Sequence, residues 1–180
     1  MIVRKFASER AKSKHQYIAD LLVDITTPRV GGMSDIQYIG TRGFITENLV
    51  SQRHEMIAVA VDASRSEQPV AHWMLSWKPG ESPNADQIES TLDIFLGELE
   101  LSDHQAIYAL HAEGSRRYLR LAVNRAHVVT GAVVKPNGGF DLEAAHRAVA
   151  KIISRHGWAA ETGARYVYTA DSRGQWCQIK

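Results

Sequence analysis

The densest group of side chains able to do chemistry lies in the stretch HAEGSRRYLRLAVNR, residues 111–125. His111 is followed two residues later by a carboxylate, Glu113, and then by arginines around a tyrosine. A carboxylate can orient a histidine ring or act as a base, and the guanidinium fork of arginine can hold a phosphate through two hydrogen bonds. The stretch is therefore a candidate site for binding an anionic group and moving a proton beside it.

Basic side chains are concentrated in two places, although the net charge of the 180-residue chain is only +1. The first group is Arg4, Lys5, Arg10, Lys12, Lys14 and His15, and the second is Arg116, Arg117, Arg120, Arg125 and His127. With so small a net charge, a surface for nucleic acid can come only from such local groups. The alternative is that each group is an ordinary solvated face.

Alternating apolar residues predict an antiparallel hairpin from the segments HQAIYALHAE and YLRLAVNRAH, with its turn at GSRR. Strand residues two apart project to the same face of a sheet. Tyr118 and Arg120 are therefore expected to lie side by side on one face of the second strand.

Apolar spacing and capping residues predict four helices. They cover residues 13–26 with Ser13 as N-cap, 46–64 with Thr46, 84–99 with Asn84, and 141–156 with Asp141 and a stop at Gly157. Further strands are predicted at residues 35–44, 70–77 and 165–170. The strand VAHWMLSW is apolar almost throughout, which predicts a central strand buried on both faces. Helices between hairpin-connected strands favour an α+β sandwich built on an antiparallel sheet.

Length and composition favour a single domain over residues 1–180, since 44% of the residues are hydrophobic. The single cysteine, Cys177, excludes an internal disulfide and a cysteine-rich zinc site, which suits a cytoplasmic protein. No run approaches the roughly 20 apolar residues of a membrane helix. The chain ends shortly after the polar stretch DSRGQW, which is compatible with the N-terminal part of a longer protein.

Four segments, in this order and at this spacing, resemble one known family. They are HWMLSWKPGESPNADQI, DHQAIYALHAE, YLRLAVNRAHVVTG and HRAVAKIISRHGW, and they cover about residues 70–160. The family is that of the conjugative relaxases of plasmids and integrative elements, mobilisation nucleases of the HUH endonuclease superfamily. The resemblance implies a five-stranded antiparallel sheet flanked by helices, in agreement with the α+β fold predicted from the residues.

The resemblance also implies an activity, a cofactor and partners. Relaxases nick one DNA strand at an origin of transfer by attack of a tyrosine on a phosphodiester. A divalent metal, Mg²⁺ or Mn²⁺, on a histidine cluster holds the scissile phosphate. Positive charge is needed there because tyrosine is a poor nucleophile near its ordinary pKa of about 10. The implied partners are single-stranded or hairpin DNA at the origin and the accessory or coupling proteins of conjugation.

The family's metal ligands are a histidine at the end of one strand and an H-x-H pair on its hairpin partner. His111 occupies the first position, whereas the pair falls on Tyr118 and Arg120. Arginine cannot coordinate a metal, and neutral tyrosine is a weak ligand. His104 and His127 are further candidates for a depleted metal cluster.

Other positions of the family's motifs predict contacts with DNA. Glu113 stands in the place of the family's acid, and Ser76 in that of a serine near the nick. The predicted DNA-binding residues are Ser76, Lys78, Arg116, Arg117, Arg120, Asn124 and Arg125. Arg120 could supply part of the positive charge that the metal supplies in the family.

The nucleophile has two alternatives. The family's tyrosine lies in an N-terminal helix, usually inside a YI dipeptide, and Tyr17 in QYIAD matches that pattern. A competing alignment places the family's L-V-x-Y on LLVDI, and Ile25 then stands in the place of the tyrosine. Tyr38 lies inside a predicted strand, which favours a place in the core.

Three functions remain open from the sequence. The chain is a divergent relaxase that nicks DNA, a catalytically inactive relaxase-like module that binds origin DNA or a transfer partner, or an interaction scaffold. We expect the first, with Tyr17 and Glu113 as catalytic residues. Covalent capture on single-stranded DNA separates it from the other two, because only an active relaxase forms an adduct.

Overall fold

The computed structural model describes residues 1–7, 12–28, 35–162 and 164–169, together with the backbone of residues 175–178. One antiparallel sheet contains β1 (Ile2–Phe6), β2 (Asp35–Arg42), β3 (Val70–Ser76), β4 (Ala106–Glu113) and β5 (Arg116–Asn124). The order across this sheet is β1-β3-β5-β4-β2. A separate antiparallel pair is formed by β6 (Tyr166–Thr169) and β7 (Gln175–Gln178).

Among the described residues, four α-helices accompany the sheet: α1 (Lys14–Thr26), α2 (Leu49–Asp62), α3 (Ala85–Glu98) and α4 (Asp141–His156). The predicted α+β fold with a five-stranded antiparallel sheet flanked by helices is thereby confirmed. Within the described ranges, no helix is both long enough and apolar enough to cross a membrane.

Several helix ends lie where the sequence predicts them. The Ser13 hydroxyl accepts a hydrogen bond from the backbone N–H of Gln16 at the start of α1, at 3.2 Å. Asn84 and Gln87 form a reciprocal capping box at the start of α3. Gly157 ends α4 in the left-handed conformation, with φ of 67°, which glycine adopts without steric cost.

Two predicted caps are wrong. Helix α2 begins after Asn48, whose side chain accepts from the following turn, because the Thr46 hydroxyl donates to the carboxylate of Glu55 instead. Asp141 is the first residue of α4 and not its cap, which is Phe140 without a side-chain hydrogen bond. The Asp141 carboxylate still lies in the first helical turn, where negative charge is favourable.

The predicted hairpin of β4 and β5 is confirmed, with a tighter turn than expected. Only residues 114 and 115 connect the strands, and Gly114 adopts a left-handed φ of 56°. The two arginines of GSRR therefore belong to β5 and not to the turn. The pairing places His111 directly opposite Tyr118.

The sheet differs from the sequence-based prediction in the places of three strands. β3 is buried along most of its length, as predicted, but the middle position belongs to β5. The predicted C-terminal strand exists as β6 but pairs with β7 outside the sheet. The fifth strand is β1, which was not predicted because IVRKF is short and carries two cations. Such charges are typical of edge strands.

The two faces of the sheet are covered differently. Helices α3 and α4 pack on one face over a core that includes Trp73, Phe95 and Leu110. Helices α1 and α2 pack on the other face, over Ile107 and Ala122 of β4 and β5. The half of this second face formed by β1 and β3 therefore borders an open cleft.

Candidate nucleic-acid interface

Helix α1 is held over the hairpin by its apolar stripe. Ile18, Leu22 and Ile25 are each at most 1% exposed and pack on β4 and β5. Their spacing of four and three residues is that of one helix face. The last turn of α1 consequently lies above the side chains of His111 and Arg120.

His111 is buried beneath the end of α1. Its Nε2 lies 3.0 Å from the backbone carbonyl oxygen of Ile25, and its ring stacks on that of Tyr118 with centroids 5.2 Å apart. A carbonyl oxygen can only accept, so Nε2 must carry the proton in this hydrogen bond. That nitrogen then has no lone pair to offer to a metal.

Arg120 is also buried, with 6% of its surface exposed, and it is bound to α1. Its Nη2 lies 2.5 Å from Oδ2 of Asp24 and its Nη1 donates to the Asp24 backbone oxygen at 3.1 Å. The guanidinium fork therefore binds a single residue through two hydrogen bonds. The charge that could have replaced a metal ion is largely neutralised by this carboxylate.

The residues at the family's metal positions do not fit a divalent ion. His111 brings one nitrogen that is engaged with Ile25, Arg120 brings a cation, and Tyr118 brings a phenol. In the part of the chain that the structure describes, no three side chains of His, Cys, Asp or Glu lie together as a possible metal site.

The structure places the two candidate nucleophile positions far apart on α1. Ile25 contacts His111 through its carbonyl, whereas Tyr17 lies in the first helical turn, half-buried against the core. The two positions are eight residues apart in number, which corresponds to about 12 Å along the helix axis. Tyr38 is half-buried against the core, where its hydroxyl donates to Glu89 at 2.8 Å, and burial together with this carboxylate raises the pKa of the phenol.

A cleft of about 550 Å³ lies between β1, β3 and the end of the hairpin. Six residues singled out from the sequence line it: Ser76, Glu113, Arg116, Arg117, Tyr118 and Arg120. Arg4, from the N-terminal basic group, lines the opposite side. Four arginines thus face two carboxylates, Glu113 and Glu161, in this cleft. Of the N-terminal group, Arg10 lies outside the described residues.

The side chains beside the cleft differ in how firmly they are held. Arg116 is exposed, whereas Arg117 donates from Nη1 to the Gly114 oxygen at 2.8 Å and so braces the turn. Lys78 donates from Nζ to the backbone oxygen of Ala160 at 2.8 Å. Arg116 is therefore better placed than Lys78 to reach a bound anion.

Asn124 and Arg125 lie at the opposite end of β5. Asn124 is completely buried, with its amide donating to Gln105 at 3.2 Å and accepting from the backbone N–H of Ala126 at 3.0 Å. These bonds use the amide to fix the end of the strand. Arg125 donates to the Gln68 backbone oxygen, and burial lowers the pKa of its guanidinium. The structure therefore separates this pair from the hairpin cations.

His104 and His127 also lie away from His111. His104 precedes β4 and His127 follows β5, and their rings meet edge to face with centroids 5.4 Å apart. Burial and the neighbouring His127 lower the pKa of His104. His127 Nδ1 accepts from the backbone N–H groups of Val129 and Thr130. The two rings form a local contact beyond the far end of the hairpin.

Two features of this interface were missed by the sequence analysis. Asp24, the partner of Arg120, stands directly before Ile25 in LLVDI, and its position in the competing alignment was the available signal. Phe6 was missed because β1 was interpreted only as a basic segment, and its alternation with Arg4 was the available signal.

The fold and the cleft define an α+β domain with a basic surface on one face of its sheet. The chain belongs to the family of MobA/VirD2-like relaxase nuclease domains, whose family model matches residues 32–158. The prediction of a conjugative relaxase is thereby confirmed. The matched range leaves out α1, which carries both Tyr17 and Ile25.

Two relatives show how much of such proteins this chain represents. Protein MobA of Acidithiobacillus ferrooxidans is 49% identical over 111 residues, which are 62% of this chain and 27% of MobA. Protein TraI of Escherichia coli is 23% identical over 116 residues, which are 64% of this chain and 16% of TraI. The matched part thus spans about a quarter or less of each relative.

Proposed function

We propose that this domain binds single-stranded or hairpin DNA at an origin of transfer without nicking it by metal-assisted attack of a tyrosine. The observation that carries this proposal is the contact between α1 and the hairpin. Arg120 binds Asp24 and His111 binds the Ile25 carbonyl, so the two side chains nearest the family's metal position are held by helix α1.

Binding of DNA is supported by family membership and by the charge of the cleft. Arg120 is paired with Asp24, and the other three arginines face two carboxylates, which leaves a local excess of positive charge in a chain that is nearly neutral overall. Guanidinium groups bind phosphate oxygens strongly. The residues we propose for this contact are Ser76, Arg4, Arg116 and Arg117, with Lys78 at the margin.

The proposal that the domain does not nick DNA is supported by the chemistry of the side chains at this site. A tyrosine hydroxyl needs a base or a cation close by to become a nucleophile, and the pentacoordinate phosphate needs concentrated positive charge. Tyr17 lies about 12 Å along α1 from the residue that contacts His111. Glu113 is exposed at the tip of the hairpin, and Arg120 is already neutralised.

The alternative function is that of an active relaxase, and the experiment described below tests both functions. In that case Glu113 would take the proton of Tyr17, whose oxygen would bond to the phosphorus as the bond to the 3′ oxygen breaks. The 3′-hydroxyl would leave with a proton, and Arg120, released from Asp24, would stabilise the phosphate. Accessory or coupling proteins of conjugation would be partners in either case. We also propose a cytoplasmic location, since a single cysteine gives no disulfide to maintain.

The test is incubation with single-stranded oligonucleotides from an origin region, with and without Mg²⁺ or Mn²⁺, followed by native and denaturing electrophoresis. We expect a retarded complex on the native gel and no adduct on the denaturing gel. An adduct would overturn the inactive function, and the variants Tyr17→Phe and Tyr118→Phe would then locate the nucleophile. Loss of retardation in an Arg116→Ala, Arg117→Ala variant would place the complex in the cleft.

A further inference from the structure

On the open half of the sheet face, paired residues of β1, β3 and β5 form three rows of side chains across the strands. Alternation along β1 places Ile2, Arg4 and Phe6 on the side of the cleft. The strand register then sets Phe6 beside His72 and Arg4 beside Met74 on β3. The row of Arg4, Met74 and Arg120 therefore lies next to the aromatic pair of Phe6 and His72 on one continuous surface.

Phe6 is an exposed aromatic ring with firm support on one side. It stacks on His72 with centroids 4.4 Å apart and an angle of 19° between the rings. Phe6 is 40% exposed, whereas His72 is 7% exposed and belongs to the interior. The histidine ring is neutral at physiological pH, because burial and the nearby Arg120 lower its pKa to about 4. The exposed Phe6 ring is thus supported on one face by the neutral imidazole ring of His72.

We propose that Phe6 is the stacking platform for one unpaired nucleobase of the bound DNA strand, with Arg4 holding an adjacent phosphate. The proposal rests on the proposed DNA-binding function and adds to it a site, a residue and a preference for single strands. Aromatic rings on an open sheet surface bind bases through their π-faces without regard to sequence. Arg4 lies two strand residues away, about 7 Å along β1.

The charge around Phe6 selects this occupant over a protein partner. Phe6 and Ile2 are separate exposed apolar residues with Arg4 between them, and the cleft beyond carries three more arginines. An aromatic ring beside a cation matches a chain that alternates bases with phosphates. A protein partner would instead favour a contiguous apolar patch.

The neighbouring residue on β1 provides a matched control for charge. Lys5 projects to the opposite face, where its ammonium pairs with Asp141 and lies 5.6 Å from the ring of Trp73. Arg4→Ala and Lys5→Ala remove one positive charge each from the same strand. Only the first is expected to weaken DNA binding.

The decisive experiment compares Phe6→Ala, Phe6→Leu and Phe6→Trp with the wild type on a single-stranded oligonucleotide and on a blunt duplex of the same sequence. We expect Phe6→Ala and Phe6→Leu to lose about 5- to 100-fold in affinity for the single strand, as for removal of one base stack. Phe6→Trp should retain it, and the duplex affinity should not change. Phe6→Leu keeps an apolar side chain over His72, so a fold defect in Phe6→Ala does not decide the outcome. Phe140→Ala, at a ring that is 70% exposed outside the cleft, should have no effect.

The other outcomes separate the platform from the proposed function. If the wild type binds single strands and Phe6→Leu binds them equally well, the platform is wrong while DNA binding stands. An equal loss on duplex and single strand would assign Phe6 a general structural role and also overturn the platform. If the wild type binds no DNA and instead binds a protein partner through Phe6, both the stacking role of Phe6 and the proposed DNA-binding function are contradicted.

Discussion

At the scale of single residues, the pair of Arg120 and Asp24 controls how much positive charge the cleft presents. Arg120 is buried and Asp24 is half-exposed, so the carboxylate covers the guanidinium from the solvent side. A cation held in this way is stabilised in place but weakened as a ligand for phosphate, because its two inner donors are occupied. Replacement of the carboxylate should therefore change DNA binding and also lower stability, because a buried guanidinium loses its counter-charge.

We predict that Asp24→Asn tightens binding of single-stranded DNA and steepens its dependence on salt. Removal of the counter-charge makes Arg120 available, and one further phosphate contact adds about 0.7 to the slope of log affinity against log salt. Fluorescence anisotropy over a range of salt concentrations measures this slope. The control is Asp93→Asn, which removes a carboxylate paired with Arg42 outside the cleft. A slope equal to that of the wild type would contradict the prediction.

The residues at the family's metal positions give a second prediction. Tyr118→His together with Arg120→His would place three imidazoles on the hairpin face around His111. We expect this double variant to bind Mn²⁺ measurably by isothermal titration calorimetry, and the wild type to show no heat. Arg120→His alone should bind more weakly than the double variant. Tight binding of Mn²⁺ by the wild type would show that the present donors suffice.

At the scale of elements, Glu55 ties the segment before α2 to the sheet. Its carboxylate accepts from the backbone N–H groups of Ile45 and Thr46, from the Thr46 hydroxyl, and from the Gln105 amide at 2.8 Å. Partial burial acts to raise the pKa of this carboxyl, but the hydrogen bonds outweigh it and hold the pKa below its ordinary value. Folding is therefore favoured by the ionised form.

This bonding predicts a pH-dependent loss of stability in Glu55→Gln. Because the folded-state pKa is depressed, the contribution of Glu55 is fully present above its unfolded pKa of about 4.3 and is lost as the pH falls through the folded value. The variant should be less stable than the wild type at neutral pH, with the gap closing in acid. Urea unfolding at several pH values measures the gap. Glu47→Gln, at an exposed carboxylate, should show no such gap.

The elements that could be predicted from the sequence are those with local signals. Helix α3 was predicted from its N-cap Asn84 and its apolar stripe, and the hairpin from alternation around a glycine turn. The signal of β1 was weaker, because its partner β3 lies about seventy residues away and its cations partly hide the alternation of Phe6 with Arg4. The order of strands likewise depends on packing between distant segments, which periodicity cannot specify.

The site could be predicted only in part for the same reason. His111, Tyr118 and Arg120 were placed together correctly by the two-residue period of the hairpin. The register of α1 over the hairpin is a tertiary contact, so the choice between Tyr17 and Ile25 stayed open in the sequence. The hydrogen bond from His111 to the Ile25 carbonyl shows which part of α1 lies at this site.

At the scale of the whole molecule, a nearly neutral domain carries a local concentration of positive charge. The net charge is +1, yet one cleft gathers four arginines. If Arg4, Arg116 and Arg117 each contact one phosphate, log affinity for single-stranded DNA should fall with log salt at a slope of about 2. Anisotropy titrations at low and moderate salt measure this slope. An affinity that does not depend on salt would exclude the cleft as the binding surface.

The position of β1 at the edge of the sheet has a further consequence for local opening. β1 is hydrogen-bonded to a single neighbour, β3, whereas β3 and β5 each have two. An edge strand with one partner opens by itself more readily than the strands inside the sheet, so its backbone amides should exchange with solvent first. A ligand bound to Arg4 and Phe6 would bind only molecules in which β1 is paired with β3, and it would therefore slow this exchange. Hydrogen–deuterium exchange with and without single-stranded DNA should then show the largest gain in protection at Ile2–Phe6, in the strand that is otherwise the first to detach.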